Sequence, residues 1–155
     1  MAIDKDQVIA QLNKILEYEL AGVVRYTHYS MMIFGYNRIP IVALFQQEAQ
    51  ESLGHAQQAG EMITRLGGHP SLGIGPLLET YQHEVRPILE ETLVAEHAAL
   101  QLYYELLAMV EGKHVPLEEY ARNLILQEEG HIDEIDKMLR NPGDVEVSPA
   151  ARALS

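Results

Sequence analysis

The sequence predicts an all-α protein, a four-helix bundle with one long crossover between its second and third helices. Three observations predict it. Apolar residues recur at spacings of four and three along four long stretches. The breaks between them are short, long and short, as antiparallel helix pairs joined by a crossover require. No stretch of useful length alternates apolar and polar residues as a strand would.

The elements follow in order. Asp4, with Gln7 three residues on, forms an N-cap, and the helical period continues to about Phe34. Gly35 to Pro40 is a break, with Pro40 suited to the first turn of a second helix that runs to Leu66. Gly67-Gly68-His69-Pro70 stops it, and 71–80, with two more Gly and a Pro, is too irregular for a helix interior. A third helix starts between Tyr81 and Pro87, with Pro87 in its first turn, and continues to Glu111; a fourth runs from Leu117 to about Arg140. Residues 1–143 are assigned to the bundle and 144–155 to a C-terminal tail, with room for one turn after Ser148-Pro149.

Composition narrows the function. The 155 residues are enough for one core, and 11 basic against 23 acidic residues give a net charge of −12. Such a surface repels phosphate backbones, and no basic patch offsets it, so no nucleic-acid partner is expected. Cysteine is absent, which removes disulfides and thiolate chemistry together. The N-terminal residues are amphipathic and charged, unlike a signal peptide, and no run approaches 18 uncharged apolar residues. The expectation is a cytoplasmic protein with no membrane partner.

Each helical stripe is apolar at its ends and polar near its middle. The first carries Glu19 and Tyr26; the second Glu48, Ser52 and His55, ending on Met62 and Leu66; the third Glu96 and Tyr103; the fourth Glu128 and His131, ending on Met138. These polar positions fall at similar depths, so they are expected to meet in one layer. Isolated carboxylates in a dry core cost several kcal/mol each unless compensated. Divalent metal compensates them economically, because carboxylate and imidazole suit iron, manganese or zinc. Glu128 and His131 stand at i and i+3 on one face, and a Glu-x-x-His of this kind belongs to the ligand pattern of di-iron carboxylate bundles. Glu19 to His55 is 36 residues and Glu96 to His131 is 35, a near-repeat that suits a pseudo-symmetric two-metal site. Tyr26 and Tyr103, each seven residues after an acid, are core aromatics or redox residues beside it. Glu48 and Glu51 read as solvated or supporting acids.

LNKILEYEL (12–20) and ILQEEGHIDEID (125–136) resemble the first- and fourth-helix segments of bacterioferritins, within the ferritin-like superfamily, over roughly residues 4–140. The resemblance implies metal ligands at Glu19, His55, Glu96, Glu128 and His131 and a di-iron site. It also implies Fe(II) and oxygen or peroxide as reactants, ferroxidase activity, ferric storage, and a homo-oligomeric cage. Where bacterioferritins carry a bridging Glu, three residues before the second-helix His, this chain has Ser52; Glu51, four before His55, is the candidate replacement ligand. Where they carry the haem-ligating Met, this chain has Leu53, so haem is not expected by that route. The tail does not match their short fifth helix. These departures leave three functions open: a ferroxidase that stores iron; a single-metal or non-catalytic subunit, alone or co-assembled with an active ferritin-like partner; and a peroxide-reducing di-iron protein. A second apolar line on the first helix, Ile9, Leu16, Leu20, Val23, Thr27, Met31 and Phe34, predicts a subunit interface.

Overall fold

The computed structural model describes residues 2–155. Its helices are α1 (Lys5–Met32), α2 (Arg38–Arg65), α3 (Val85–Val110), α4 (Val115–Leu139) and a short α5 (Pro149–Ala153), with no strand among the described residues. The ends obey local chemistry. The Asp4 side chain accepts from Gln7 N at 3.2 Å and caps α1; the His114 ring caps α4 by accepting from Leu117 N at 3.3 Å. Pro87 and Pro116 sit in first turns, where the missing N–H costs nothing.

α1 packs along α2 and α3 along α4, and α1 also meets α3. The crossover explains how. It runs beside α1 from one end to the other: Ser71 N donates to Asn13 Oδ1 at 2.8 Å, Gly75 N to the Glu17 carbonyl at 2.8 Å, and His83 stacks on Phe34. That path delivers the start of α3 to the far end of α1, so the two helices run antiparallel. Gly75 suits this close approach, because a Cβ there would stand 3.1 Å from the Glu17 carbonyl oxygen, tighter than ordinary contact with backbone.

The core is two apolar blocks. One gathers Leu12, Ile15, Ile63, Leu106, Leu117 and Leu124 at one end of the bundle; the other gathers Ile33, Phe45, Ile88, Leu93, Ile135 and Leu139 at the opposite end. Each fully buried large side chain contributes roughly 1.5–3 kcal/mol. The stripes shift near their ends. Leu139 is 2 % exposed where Met138 is 37 %, and Ile63 is fully buried where Met62 and Leu66 are half-buried. A strict four-three seam assumes 3.5 residues per turn, and a helix of 3.6 drifts about 20° per heptad away from it, enough to hand the inner position to the next residue.

The second apolar line of α1 divides. Leu16 is buried and Ile9 and Leu20 pack on the core, with Gly68 of the turn after α2 lying against Ile9. Met31 and Phe34 stay 59 % and 58 % exposed.

The tail is pinned rather than free. Asp136, buried on α4, accepts from Ser148 N at 2.8 Å and from Arg140 Nη2 at 2.7 Å, while Ser148 caps α5 and Ala151 enters the second apolar block. Burial raises the Asp136 carboxyl, but the bonds from Ser148 and Arg140 outweigh it and hold it below the usual range. A depressed acid stabilises the fold above its unfolded pKa and loses that contribution as pH falls through its folded one. Asp136→Asn is therefore expected to cost about 1–3 kcal/mol at neutral pH. Hydrogen exchange would register it as lost protection over 148–155.

Candidate metal centre

Between the two apolar blocks lies a layer of ionisable side chains. Glu19 comes from α1, Glu48, Ser52 and His55 from α2, Glu96 from α3, and Glu128 from α4; all are buried, and His131 of α4 is half-buried. Each occupies the inward position of its own stripe, so burial of the flanking apolar turns carries these groups inside. Ser52 sits where α1 and α2 approach closely: a Cβ on Gly22 would stand 3.0 Å from Ser52 Oγ.

Glu128 divides the layer. Its Oε1 lies 3.2 Å from His55 Nδ1, which is also 3.6 Å from Glu19 Oε1. Its Oε2 lies 3.8 Å from His131 Nδ1, which also faces Glu48 Oε2 at 3.5 Å and Glu96 Oε2 at 3.9 Å. Three overlapping donor clusters result: Glu19, His55 and Glu128; Glu96, Glu128 and His131; and Glu48, Glu51 and His131. Two tyrosines cross-tie the ligands of opposite helices: Tyr103 of α3 donates to Glu19 Oε1 at 2.9 Å, and Tyr26 of α1 donates to Glu96 Oε1.

The outer nitrogens of both imidazoles are engaged. His55 Nε2 is 3.0 Å from Gln127 Oε1, and His131 Nε2 is 2.5 Å from Glu51 Oε2. An Nε2–H donated to either acceptor leaves Nδ1 with its lone pair turned into the layer, the tautomer that binds a metal. Those inward atoms have no other use. Of four buried side-chain polar atoms without a hydrogen-bond partner among the described residues, three are His55 Nδ1, His131 Nδ1 and Glu128 Oε2. Orphans of this kind are costly, and their convergence on carboxylates fits a bound cation.

Electrostatics agree. Burial drives the Glu19 carboxyl up, partly offset by His55 and Tyr103, and drives Glu96 well up, reinforced by the Glu128 charge. Burial alone would also raise Glu128, but the Glu96 carboxyl and the His131 and His55 imidazoles close beside it outweigh that and hold it low. Burial pushes the imidazoles down, yet the carboxylates outweigh it, holding His55 up at about 10 and His131 up at about 12. Without a cation the layer keeps protons in its place.

The structure thus brings together Glu19, His55, Glu96, Glu128 and His131. Glu51 lies at the half-buried rim, against the outer face of His131. Glu48, which spacing reads as a solvated or supporting acid, is instead buried and faces the inner face of His131. The signal was available, because Glu48 stands on the inward line four residues before Ser52. Gln127 had no such signal, since its reach from α4 to α2 depends on how the helices are turned.

Comparison with known proteins accords with this geometry. The chain is 31 % identical over 140 residues to a bacterioferritin of Brucella melitensis and 29 % identical over 142 residues to one of Rhodobacter capsulatus, in each case covering 86 % of this chain and 83 % of the relative. The Rhodobacter protein's crystal structure, described as having a metal-free dinuclear site and haem iron, aligns with a TM-score of 0.74 over 88 % of this chain and 85 % of that one. A ferritin-like, di-iron-carboxylate protein of Bacillus anthracis aligns with a TM-score of 0.81 at 26 % identity, covering 90 % of this chain and all of that one. The family model of the ferritin-like domain matches residues 9–142, nearly the whole bundle, and the chain belongs to that family.

Proposed function

We propose that the mid-bundle layer binds two iron ions, oxidises Fe(II) there, and passes Fe(III) to storage in a homo-oligomer of this chain. The observation that carries the reading is the set of three buried, unpartnered donor atoms turned toward the carboxylates of four helices. Iron is the substrate, and the chain holds it. Two Fe(II) give up one electron each, and dioxygen with two protons becomes hydrogen peroxide, or peroxide with two protons becomes two waters. Glu19, Glu96, Glu128, His55 and His131 supply the donors, Glu51 and Gln127 orient the imidazoles, and Tyr26 positions Glu96 from one hydrogen bond away. Leu53 offers haem iron no donor atom, so haem plays no part by that route. The oligomer is supported by large apolar side chains left in water, among them Met31 and Phe34 of α1, Ile39 of α2, and Leu72, Leu78 and Tyr81 of the crossover.

Mixing the apoprotein with Fe(II) and then oxidant tests the reading. Oxidation is expected to outpace buffer at least tenfold and to saturate near two ions per chain. A rate equal to buffer's overturns the ferroxidase assignment.

A further inference from the structure

Building on the two-ion reading, we propose that Glu48, one helical turn before Ser52, supplies the α2 carboxylate to the ion held by His131. Helix geometry permits the substitution. Residues 48 and 52 differ by four positions, about 40° around the axis, so an acid moved back one turn stays on the buried face. Glu51 is about 100° away from residue 52, and its carboxylate reaches the outer nitrogen of His131 rather than the inner one.

Distances support the same assignment. Donors about 2.1 Å from one ion stand about 3.0–3.4 Å apart in octahedral or tetrahedral geometry. Glu48 Oε2 is 3.5 Å from His131 Nδ1, the shortest spacing that this unpartnered nitrogen makes to any carboxylate. Glu96 Oε2 and Glu128 Oε2 stand 3.9 and 3.8 Å from the same nitrogen.

Charge supports it too. Glu19, Glu96 and Glu128 with two neutral imidazoles leave one positive charge uncompensated around two divalent ions. Glu48, 8 % exposed and 3.5 Å from His131 Nδ1, brings the layer to neutrality. A space of about 10 Å³ lies beside Ser52, Glu19, Tyr26 and Glu96.

Anaerobic titration of the full-length apoprotein with Co(II), followed by visible absorption and counted per chain, tests the assignment. The parent is expected to take two equivalents. Glu48→Gln is expected to keep one and to weaken the second at least about tenfold. Adding Ser52→Glu to Glu48→Gln is expected to restore it. If Glu48→Gln keeps both equivalents at unchanged affinity, the role of Glu48 is overturned while the two-ion centre stands. A parent that takes one equivalent or none overturns the two-ion reading itself, and the role of Glu48 with it. Should Glu48→Gln not fold, anomalous scattering from the Co(II)-loaded parent decides: a peak within coordination distance of both Glu48 and His131 supports the assignment, and a His131 peak without Glu48 overturns it.

Discussion

Glu128→Ala is expected to remove both metal equivalents and to lower the initial rate of Fe(II) oxidation to that of buffer, a loss of at least about tenfold. It is the residue whose two oxygens face different imidazoles, Oε1 at 3.2 Å from His55 Nδ1 and Oε2 at 3.8 Å from His131 Nδ1. Every other carboxylate of the layer serves one cluster, so no other single truncation should empty both. Glu128→Gln keeps the shape and one carbonyl acceptor but gives up the charge. It should retain the fold, judged by circular dichroism, while also failing to hold two ions. If Glu128→Ala still binds two Co(II) per chain, the sharing of this carboxylate is wrong.

Metal loading should stabilise the fold, and the gain should widen as pH rises. Glu19 and Glu96 have carboxyls raised by burial, so the folded apoprotein holds protons that the unfolded chain has lost. Their contribution is present below the unfolded carboxyl range and declines as pH climbs above it. His55, held up at about 10 by its carboxylate neighbours, stabilises the fold fully below the unfolded value near 6.5 and loses this as pH rises through 10. Both trends weaken the apoprotein between pH 6 and 8. Cation binding runs the opposite way, because ligands must shed those protons. At a free ion concentration about 100 times Kd the stabilisation is about 2.7 kcal/mol, or roughly 5–10 °C in Tm for a chain of this size. Melting curves of apo and Zn(II)-loaded protein at pH 6 and pH 8 check it; a difference that shrinks with pH contradicts the proton inventory of the layer.

Much of this architecture is written in local patterns. Gly67-Gly68 and Pro70 mark the end of α2, Pro87 marks the start of α3, and every residue of the stripe Val8, Leu12, Ile15, Glu19, Gly22, Tyr26 and Tyr29 on α1, with Ile33 at its C-cap, is buried. The layer was legible for the same reason: a polar residue in phase with an apolar stripe has nowhere else to go. What escapes such reading is the angle at which one helix is turned toward another. Spacing alone does not show whether Met138 or Leu139 faces inward at the end of a drifting helix, nor that Gln127 crosses to His55. Glu48 is the instructive case. Matching each position to its expected ligand directs attention to residue 52 and its sequence neighbour Glu51, whereas three-dimensional adjacency on a helix belongs to the residue four away.

The paired tyrosines bind the two halves of the bundle to each other through the very groups that would grip the ions. Glu19 is steadied by a phenol from α3, and Glu96 by a phenol from α1. Sliding these two rods lengthwise past one another would break both ties at once. Neither half can therefore go slack on its own, and the alignment of helices that folding achieves is the alignment the chemistry inherits.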